Sequence, residues 1–326
     1  MGKAQERRAE GGGLMFHDKT EHAAKGKWRG ILLELGLPET CLHDRHGPCP
    51  LCGGKDRFRW DNNEGRGTFI CSQCGAGSGM KLAIEYTGKE FKDVARRIDE
   101  LVGNVKPDTI QPRQPMSDEK RREILKRTYL ETQEVQPGDL VHRYLESRGV
   151  DEMIYAPALR FAPKLRDGDG GVRPAMVAMI GVPGEARFRS MHRTFLKPDG
   201  SGKAEMAAPR KIMPGELPEG ACVMLSEYVP GGPLGIAEGI ETAMSASALF
   251  GMPVWAAINS AIMKKWAPPE GCTEVAIFGD NDPKYGGQAT AWALAHRLAV
   301  KGISVTVHIP DQAGVDFNDI LMRNAA

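Results

Sequence analysis

The first recurring apolar pattern is Trp28, Ile31, Leu32 and Leu35, a helical spacing that Gly36 and Pro38 bring to an end. Met80 to Tyr86 and Phe91 to Val102 follow as two short amphipathic helices broken at Gly88, the second with Val94, Ile98 and Leu101 on one face. Asp118 to Gly149 reads as mostly helical. Ala175 to Val182 and Ala186 to Leu196 are rich in β-formers around Pro183-Gly184, which predicts a hairpin. In the last hundred residues, apolar runs at Leu234 to Ala237, Val254 to Ile258, Thr273 to Phe278 and Ser304 to Ile309 alternate with helical stretches. These are Ile240 to Phe250 and Gly287 to Val300, the latter with Trp292, Ala295, Leu298 and Ala299 at helical spacing. Strand and helix alternating at this pitch predict a βαβ series and a mostly parallel sheet.

Two stretches lack such a period. Residues 1–26, rich in Gly, Lys and Glu, are expected to be a disordered lead-in, and Gly103 to Ser117, with three prolines and no large apolar cluster, is the expected linker. The expected divisions are therefore 1–26, a metal-binding module over 27–102, the linker at 103–117, a helical and hairpin-containing middle at 118–232, and the alternating α/β region at 233–326.

Composition changes this picture in two ways. The 326 residues include 43 basic and 42 acidic side chains, a balance that argues against a supercharged nucleic-acid binder. Yet residues 1–225 carry a net charge of +5 and residues 226–326 one of −4, as suits a basic front that holds a polyanion and an acidic back that holds divalent cations. No apolar run approaches the roughly 18 residues that cross a bilayer, and the start of the chain does not read as a secretory signal. Seven cysteines, four of them in two tight pairs, suit a reduced compartment; a cytoplasmic protein without membrane partners is expected.

Cys49-Pro-Leu-Cys52 and Cys71-Ser-Gln-Cys74 form a C-x2-C pair of pairs with eighteen residues between. Two residues between thiolates let both sulfurs reach one ion from one tight turn, and two such turns close a tetrahedron, so a structural Zn²⁺ is expected. His46 could substitute as a ligand but reads better as a surface residue. Cys41, Cys222 and Cys272 read as isolated core thiols. Phe58, Trp60 and Phe69 alternate with Arg57 and Arg59; the pattern serves equally as a base-stacking and phosphate-binding face or as the small core of the module. The stretch CPLCGGKDRFRWDNNEGRGTFICSQCGAGSG, with MKLAIEYTGKEFKDVARRI after it, resembles the zinc-binding domain of bacterial and phage DNA primases, those of mobile elements in particular.

Glu238, in AEGIETA, follows the run Leu234 to Ala237. Asp280 and Asp282, in GDNDPKYGG, follow Thr273 to Phe278, and Asp316 follows Ile309. Each acid thus lies just past the C-terminal end of an expected strand, where open parallel sheets gather ligands. Carboxylates converging on one edge repel one another unless cations lie between them, and Mg²⁺ takes oxygen ligands while keeping waters for phosphate. The same residues resemble the Toprim domain of DnaG-type primases, topoisomerases and some nucleases. That resemblance implies that Glu238, Asp280 and Asp282 are catalytic, that these three and Asp316 hold Mg²⁺ or Mn²⁺, and that Glu241 replaces the aspartate of the usual EGxxD. It leaves open whether Asn318 or Asp319 completes the last acidic pair.

Between these ends, the second hairpin strand is expected to place Arg187, Arg189 and Arg193 on one face as a phosphate track, with Lys197, Lys203, Arg210 and Lys211 after it; a solvated strand face is the alternative. Similarity to the region before Toprim in mobile-element primases adds His192, Arg193 and Lys203 as candidate nucleotide or template residues. Asp199-Gly-Ser-Gly-Lys203 lacks the first glycine of a P-loop and ends in Ala204 rather than Ser or Thr, so it reads as a turn.

The expected fold is α+β multidomain: an N-terminal zinc ribbon, a basic α/β middle and a C-terminal Toprim domain with a mostly parallel sheet. The implied function is a DNA primase that makes RNA primers on a single-stranded DNA template from ribonucleoside triphosphates, for a phage, plasmid or integrated mobile element. With no ATPase motif, a separate replicative helicase is expected. The alternatives are a Toprim-type nuclease and a non-catalytic zinc-ribbon module that binds single-stranded DNA.

Overall fold

The structure is a computed structural model that describes residues 19–108, 116–150, 155–215 and 217–324. The chain clusters into two compact units, Met1–Met116 and Ser117–Ala326. Residues 1–18 of the expected lead-in and 109–115 of the expected linker lie outside the described residues. Residues 19–24, expected within the lead-in, are helical and seat Thr20 and Ala24 in the core.

The first unit is built on a three-stranded antiparallel sheet, β1 (Phe58–Trp60), β2 (Phe69–Cys71) and β3 (Gly75–Gly77). Helices α1 (Trp28–Glu34), α2 (Gly79–Thr87) and α3 (Phe91–Val102) complete it. Trp28, Ile31 and Leu32 of α1 are buried with Met80, Leu82, Val94 and Ile98, the faces their periodicity marks. The indole of Trp28 lies against Gly79, where a Cβ would meet it at 2.3 Å, so only glycine admits this contact. Ser78 caps α2 by accepting from the Lys81 amide.

The second unit holds two sheets. One is antiparallel, in the order β4 (Gln133–Glu134), β5 (Leu159–Arg166), β6 (Val172–Ile180), β7 (Ser190–Phe195), β8 (Arg210–Ile212), with helices α4 (Asp118–Leu130) and α5 (Leu140–Glu146). The hairpin β6–β7 is present, but its strands end at Ile180 and begin at Ser190, so residues 186–189 belong to the connection. Asp118 to Gly149 is mostly helical, as expected, in two helices with the short β4 between them.

The other sheet is wholly parallel, in the order β10 (Val254–Ala256), β9 (Leu234–Ala237), β11 (Glu274–Phe278), β12 (Ser304–His308). Its crossover helices are α6 (Ile240–Phe250), α7 (Ser260–Lys265) and α8 (Gly286–Val300), and α9 (Phe317–Asn324) follows β12. Strand alternation divides the apolar side chains. Leu234, Ile236, Val275 and Ile277 pack with Leu294 and Leu298 of α8. Ala237, Ala276 and Phe278 pack on the other face with Ala243 and Met244 of α6 and Phe317 of α9. That second core continues into Tyr144 and Leu145 of α5 and Met176 and Ala178 of β6, which welds the two sheets together. The buried face of α8 is Ala291, Leu294, Ala295 and Leu298; Trp292, expected on that face, is 59% exposed. Three-residue steps from Trp292 reach Ala295 and Leu298, but the tight contact with the sheet is made by the smaller residues around them.

Candidate functional site

The four paired cysteines come together. Their sulfurs all lie within 4.8 Å of one another, with Cys49 to Cys74 at 3.9 Å and Cys52 to Cys71 at 3.8 Å. A tetrahedron with ligands at about 2.3 Å has edges of about 3.8 Å, so the spacing fits zinc. The amides of Leu51 and Cys74 donate to the Cys49 and Cys71 sulfurs, each at 3.4 Å, as suits thiolates. Four sulfurs this close cannot all ionise unaided: donation from Cys71 and Cys74 drives Cys49 down to about 2, and the bond to Cys49 drives Cys71 up to about 12. A dication resolves the conflict by taking all four as thiolates. His46 is exposed and stands outside this set, its Nδ1 3.1 Å from the Asp56 carbonyl oxygen.

The neighbouring aromatics are core. Phe58, Trp60 and Phe69 are each at most 1% exposed, Phe58 and Phe69 stack at 5.5 Å, and the Trp60 indole N–H donates to the Gly67 carbonyl at 3.1 Å. Trp60 is therefore no platform for a base: so small a module needs all three rings to bury enough surface. Arg57 and Arg59 alternate outward, but Arg59 is paired with Asp44 at 3.3 Å.

The acids of the second unit come from level strand ends. Phe278, the last residue of β11, pairs with Ala237 at the end of β9 and with His308 at the end of β12, so the loops bearing Glu238, Asp280, Asp282 and Asp316 leave one edge together. Burial, then the negative charges of Glu238, Asp316 and Asp282, push the Asp280 carboxyl up to about 7, against the pull of Arg210. The Asp280 Oδ1 is buried and has no hydrogen-bond partner among the described residues. An orphaned oxygen amid three more carboxylates is the donor set of a hard cation, and these residues fit Mg²⁺ or Mn²⁺. Among the described residues only the cysteines bring three or more ligand atoms within 4.8 Å, so the acids form an open array rather than a closed cage. An ion that keeps waters and takes phosphate oxygens suits such an array.

Several residues without a signal in the sequence hold this edge in place. The Ser260 hydroxyl, at the start of α7, donates to Glu238; the connection before it includes Ile258 at φ +73°, a backbone conformation that costs a β-branched residue of order 1–3 kcal/mol. The Asp282 carboxylate accepts from the Gly287 amide at 2.8 Å, and Gly287 presses so close to the Asp280 carbonyl that a Cβ would meet it at 2.4 Å. Asn281 donates to the Pro310 carbonyl at 2.7 Å and accepts from Gln288 at 2.6 Å, tying the β11 loop to the segment that leads to Asp316.

Asp316 and Asp319 cap α9 reciprocally: the Asp319 amide donates to Asp316 Oδ1 at 2.8 Å and the Asp316 amide to Asp319 Oδ2 at 3.1 Å. Asn318 is fully buried and donates to the Arg148 carbonyl and to Ser245, away from the acid edge. Glu241, in the first turn of α6, is also elsewhere. It accepts from the Tyr144 hydroxyl and pairs with Lys203 at 2.9 Å. It stands three residues after Glu238, where the usual motif has its acid at four, and one residue on a helix turns a side chain by about 100°.

The basic candidates do not form a single track. Arg187 and Arg189 precede β7 rather than lying on it, and Arg189 is paired with Glu185 at 2.6 Å. Arg193 donates to the Arg166 carbonyl at 3.3 Å and lies over the Phe195 ring. His192 faces the opposite way, 6% exposed; burial and the charges of Arg210, Lys203 and Arg193 drive its imidazole down to about 3, so it is neutral and presents no cation to a template. Lys203 closes the turn at 197–203, which is no P-loop. Cys41, Cys222 and Cys272 are buried thiols, as expected. A cavity of about 940 Å³ between the β6–β7 connection and the parallel sheet, lined by Phe188, Tyr228, Met244 and Trp255 among others, includes none of the acids. No helix among the described residues is long and apolar enough to cross a membrane.

Comparison with known proteins gives three family matches. Residues 44–80 match the zinc-binding domain of primase-helicase, residues 119–224 a domain of unknown function, and residues 233–326 the Toprim domain. Among solved structures, the chain is similar to the Aquifex aeolicus primase, zinc-binding and RNA polymerase domains, at 15% identity over 93% of this chain and 82% of that one, TM-score 0.41. It is similar to the primase fragment of the bacteriophage T7 primase-helicase at 14% identity, 86% and 95% coverage, TM-score 0.38. A DnaG primase catalytic domain bound to single-stranded DNA matches at 15% identity, 64% and 79% coverage, TM-score 0.40.

Proposed function

We propose that this chain, a DnaG-type primase-family protein with a zinc-binding domain and a Toprim domain, is a DNA primase that starts short RNA chains on single-stranded DNA. The observation that carries the reading is Asp280: a carboxyl with one buried, unpartnered oxygen at the C-terminal edge of the parallel sheet, its pKa raised by burial first and then by three neighbouring acids. In the reaction, the 3′-hydroxyl of one nucleotide attacks the α-phosphorus of the next, an O–P bond forms, and pyrophosphate leaves.

Glu238, Asp280, Asp282 and Asp316 would hold Mg²⁺ or Mn²⁺, which when bound supplies polarisation of the α-phosphate and a lowered pKa for the attacking hydroxyl. Glu238, oriented by Ser260, is the candidate to receive the hydroxyl proton. Lys203, with a side chain 31% exposed, and Arg210, exposed and in no ion pair among the described residues, would neutralise the triphosphate. The zinc module would contact the template through its outward Arg57, and Arg59 would join it only on leaving its ion pair with Asp44. A separate helicase would open the duplex during replication of a phage, plasmid or integrated element.

The test is primer synthesis from ribonucleotides on unprimed single-stranded DNA of varied sequence, with Mg²⁺ or Mn²⁺. Labelled oligoribonucleotides from the native chain, and none from Asp280→Asn with Asp282→Asn, are expected. Absence of product on every template, or undiminished product from the double variant, refutes the reading. The open acid array would equally serve a nuclease; nicking of the template without synthesis is the outcome that favours it.

A further inference from the structure

Glu241 has left the acid edge, and its surroundings say what it does instead. The residue is 7% exposed, and its carboxylate joins two elements distant in sequence: Tyr144 of α5, 1% exposed, and Lys203 at the foot of the turn after β7. Tyr144 and Lys203 both approach Oε1. Burial alone would push the Glu241 carboxyl up, but the Lys203 ammonium and the Tyr144 hydroxyl outweigh it and hold the group ionised.

Lys203 is fixed at its backbone too. Leu196 and Lys203 bridge, the Lys197 amide donates to the Gly202 carbonyl at 2.9 Å, and the Ala204 amide to the Phe195 carbonyl at 2.8 Å. An ammonium has three donors. Glu241 takes one, and the side chain is still partly exposed. Glu241 stands in the first turn of α6, three residues after Glu238, and holds Lys203 at 2.9 Å, so the network lies beside the loop that bears the first of the acids. His192, neutral and buried, adds no cation to compete with Lys203 for the Glu241 carboxylate.

We infer that Glu241 is a positioning residue rather than a metal ligand: braced by the Tyr144 hydroxyl, it holds Lys203 in one rotamer at the acid edge to receive the phosphates of an incoming nucleoside triphosphate. The inference rests on the primase reading for its ligand. Its energetic logic is preorganisation. A free lysine gives up rotamer freedom when it grips a phosphate, whereas one already held does not.

The test uses the full chain with its zinc and reads binding of a fluorescently labelled ATP with Mg²⁺ by titration, with thermal unfolding in parallel. Lys203→Gln is expected to weaken binding about tenfold, the loss of one charge-assisted contact. Tyr144→Phe, which deletes one oxygen distant from the ligand, is expected to weaken it about threefold, and to have no effect in the Lys203→Gln background, because Tyr144 acts only through Lys203. Glu241→Asp, which draws the anchor back by one methylene, is expected to behave like Tyr144→Phe and serves if that variant does not fold. Unchanged affinity in both variants, tighter binding, or equal losses with and without Lys203 would overturn the inference. A native chain that binds labelled ATP with this coupling but makes no primers would sink the primase reading and leave the positioning role standing. Primer synthesis with a neutral Tyr144→Phe would do the reverse.

Discussion

Asp280→Asn should abolish primer synthesis and at the same time stabilise the protein when no Mg²⁺ is added. Asparagine keeps the shape of the side chain and removes its charge. The Asp280 carboxyl is raised from 3.8 to about 7, by burial first and then by Glu238, Asp316 and Asp282. A folded-state pKa above the unfolded one means that the native state binds more protons between those values, so stability is full below about pH 4 and is lost as pH rises through about 7. Three units correspond to about 4 kcal/mol as an upper bound; water at the open edge and relaxation of the loops bring the expected figure to about 1–2 kcal/mol. For a unit of this size that is a rise in melting temperature of roughly 2–8 °C. The assay is thermal unfolding of zinc-loaded native and variant chains at pH 5, 6, 7 and 8, each with and without Mg²⁺. The variant's advantage should be greatest at pH 8, shrink towards pH 5, and narrow or reverse on addition of Mg²⁺, which on the proposed reading would bind the ionised acids of the native chain. A variant less stable than the native chain at pH 8 without Mg²⁺, or an advantage that does not vary with pH, would refute the electrostatic account of this edge.

Removing zinc with a strong chelator, or replacing Cys49 with serine, should release one equivalent of zinc per chain and lower the melting temperature of the first unit; a metal assay and circular dichroism read both, and a fully stable zinc-free chain counts against a structural site. Gly79→Ala should cost roughly 1–3 kcal/mol by driving a methyl group into the Trp28 indole, measured by denaturant unfolding. Trp60→Phe should cost about 1–2 kcal/mol by leaving the Gly67 carbonyl unpaired, while binding of single-stranded DNA by the folded variant stays within about twofold of native. A large loss of affinity at unchanged stability would restore Trp60 as a stacking platform.

How much of this was legible in the sequence depends on how local the determinants are. The C-x2-C pairs announce a metal because spacing and chemistry coincide within one turn. The parallel sheet announces itself because each strand is an apolar run followed by a helix. By contrast β5, Leu159–Arg166, gives no such signal: Pro163, Lys164 and a register shift between Ala162 and Leu165 break its alternation. The Phe58 and Trp60 alternation correctly separates aromatics from arginines, but alternation alone does not say which face meets solvent, and in a module this small the core claims the rings. Glu241 is the clearest case of a determinant that lies elsewhere. Its role is set by Tyr144 and Lys203, 97 and 38 residues away, and is visible only once β7 and α5 have folded against α6. Ser260 and Asn281 were hidden for the same reason.

The near balance of charge takes on physical meaning once the ion pairs are known. Many of the cations proposed for the template are already engaged. Arg59 is held by Asp44 and Arg189 by Glu185, while Lys211 is held by Asp169 and Arg193 is half-buried over Phe195. Of the basic residues proposed for the template, Arg57 and Arg187 remain available, since Arg210 and the free donors of Lys203 are assigned to the nucleotide. About two phosphate contacts on a single strand give a slope of log Kobs against log salt of about −1.4, from roughly 0.7 counterions released per contact. Fluorescence anisotropy of a labelled oligodeoxynucleotide between 50 and 300 mM salt would read it. A slope near zero would mean that the grip is not electrostatic, and one steeper than about −3 would mean that the paired arginines open to meet the template, so that these ion pairs are reserves of charge rather than structural ties.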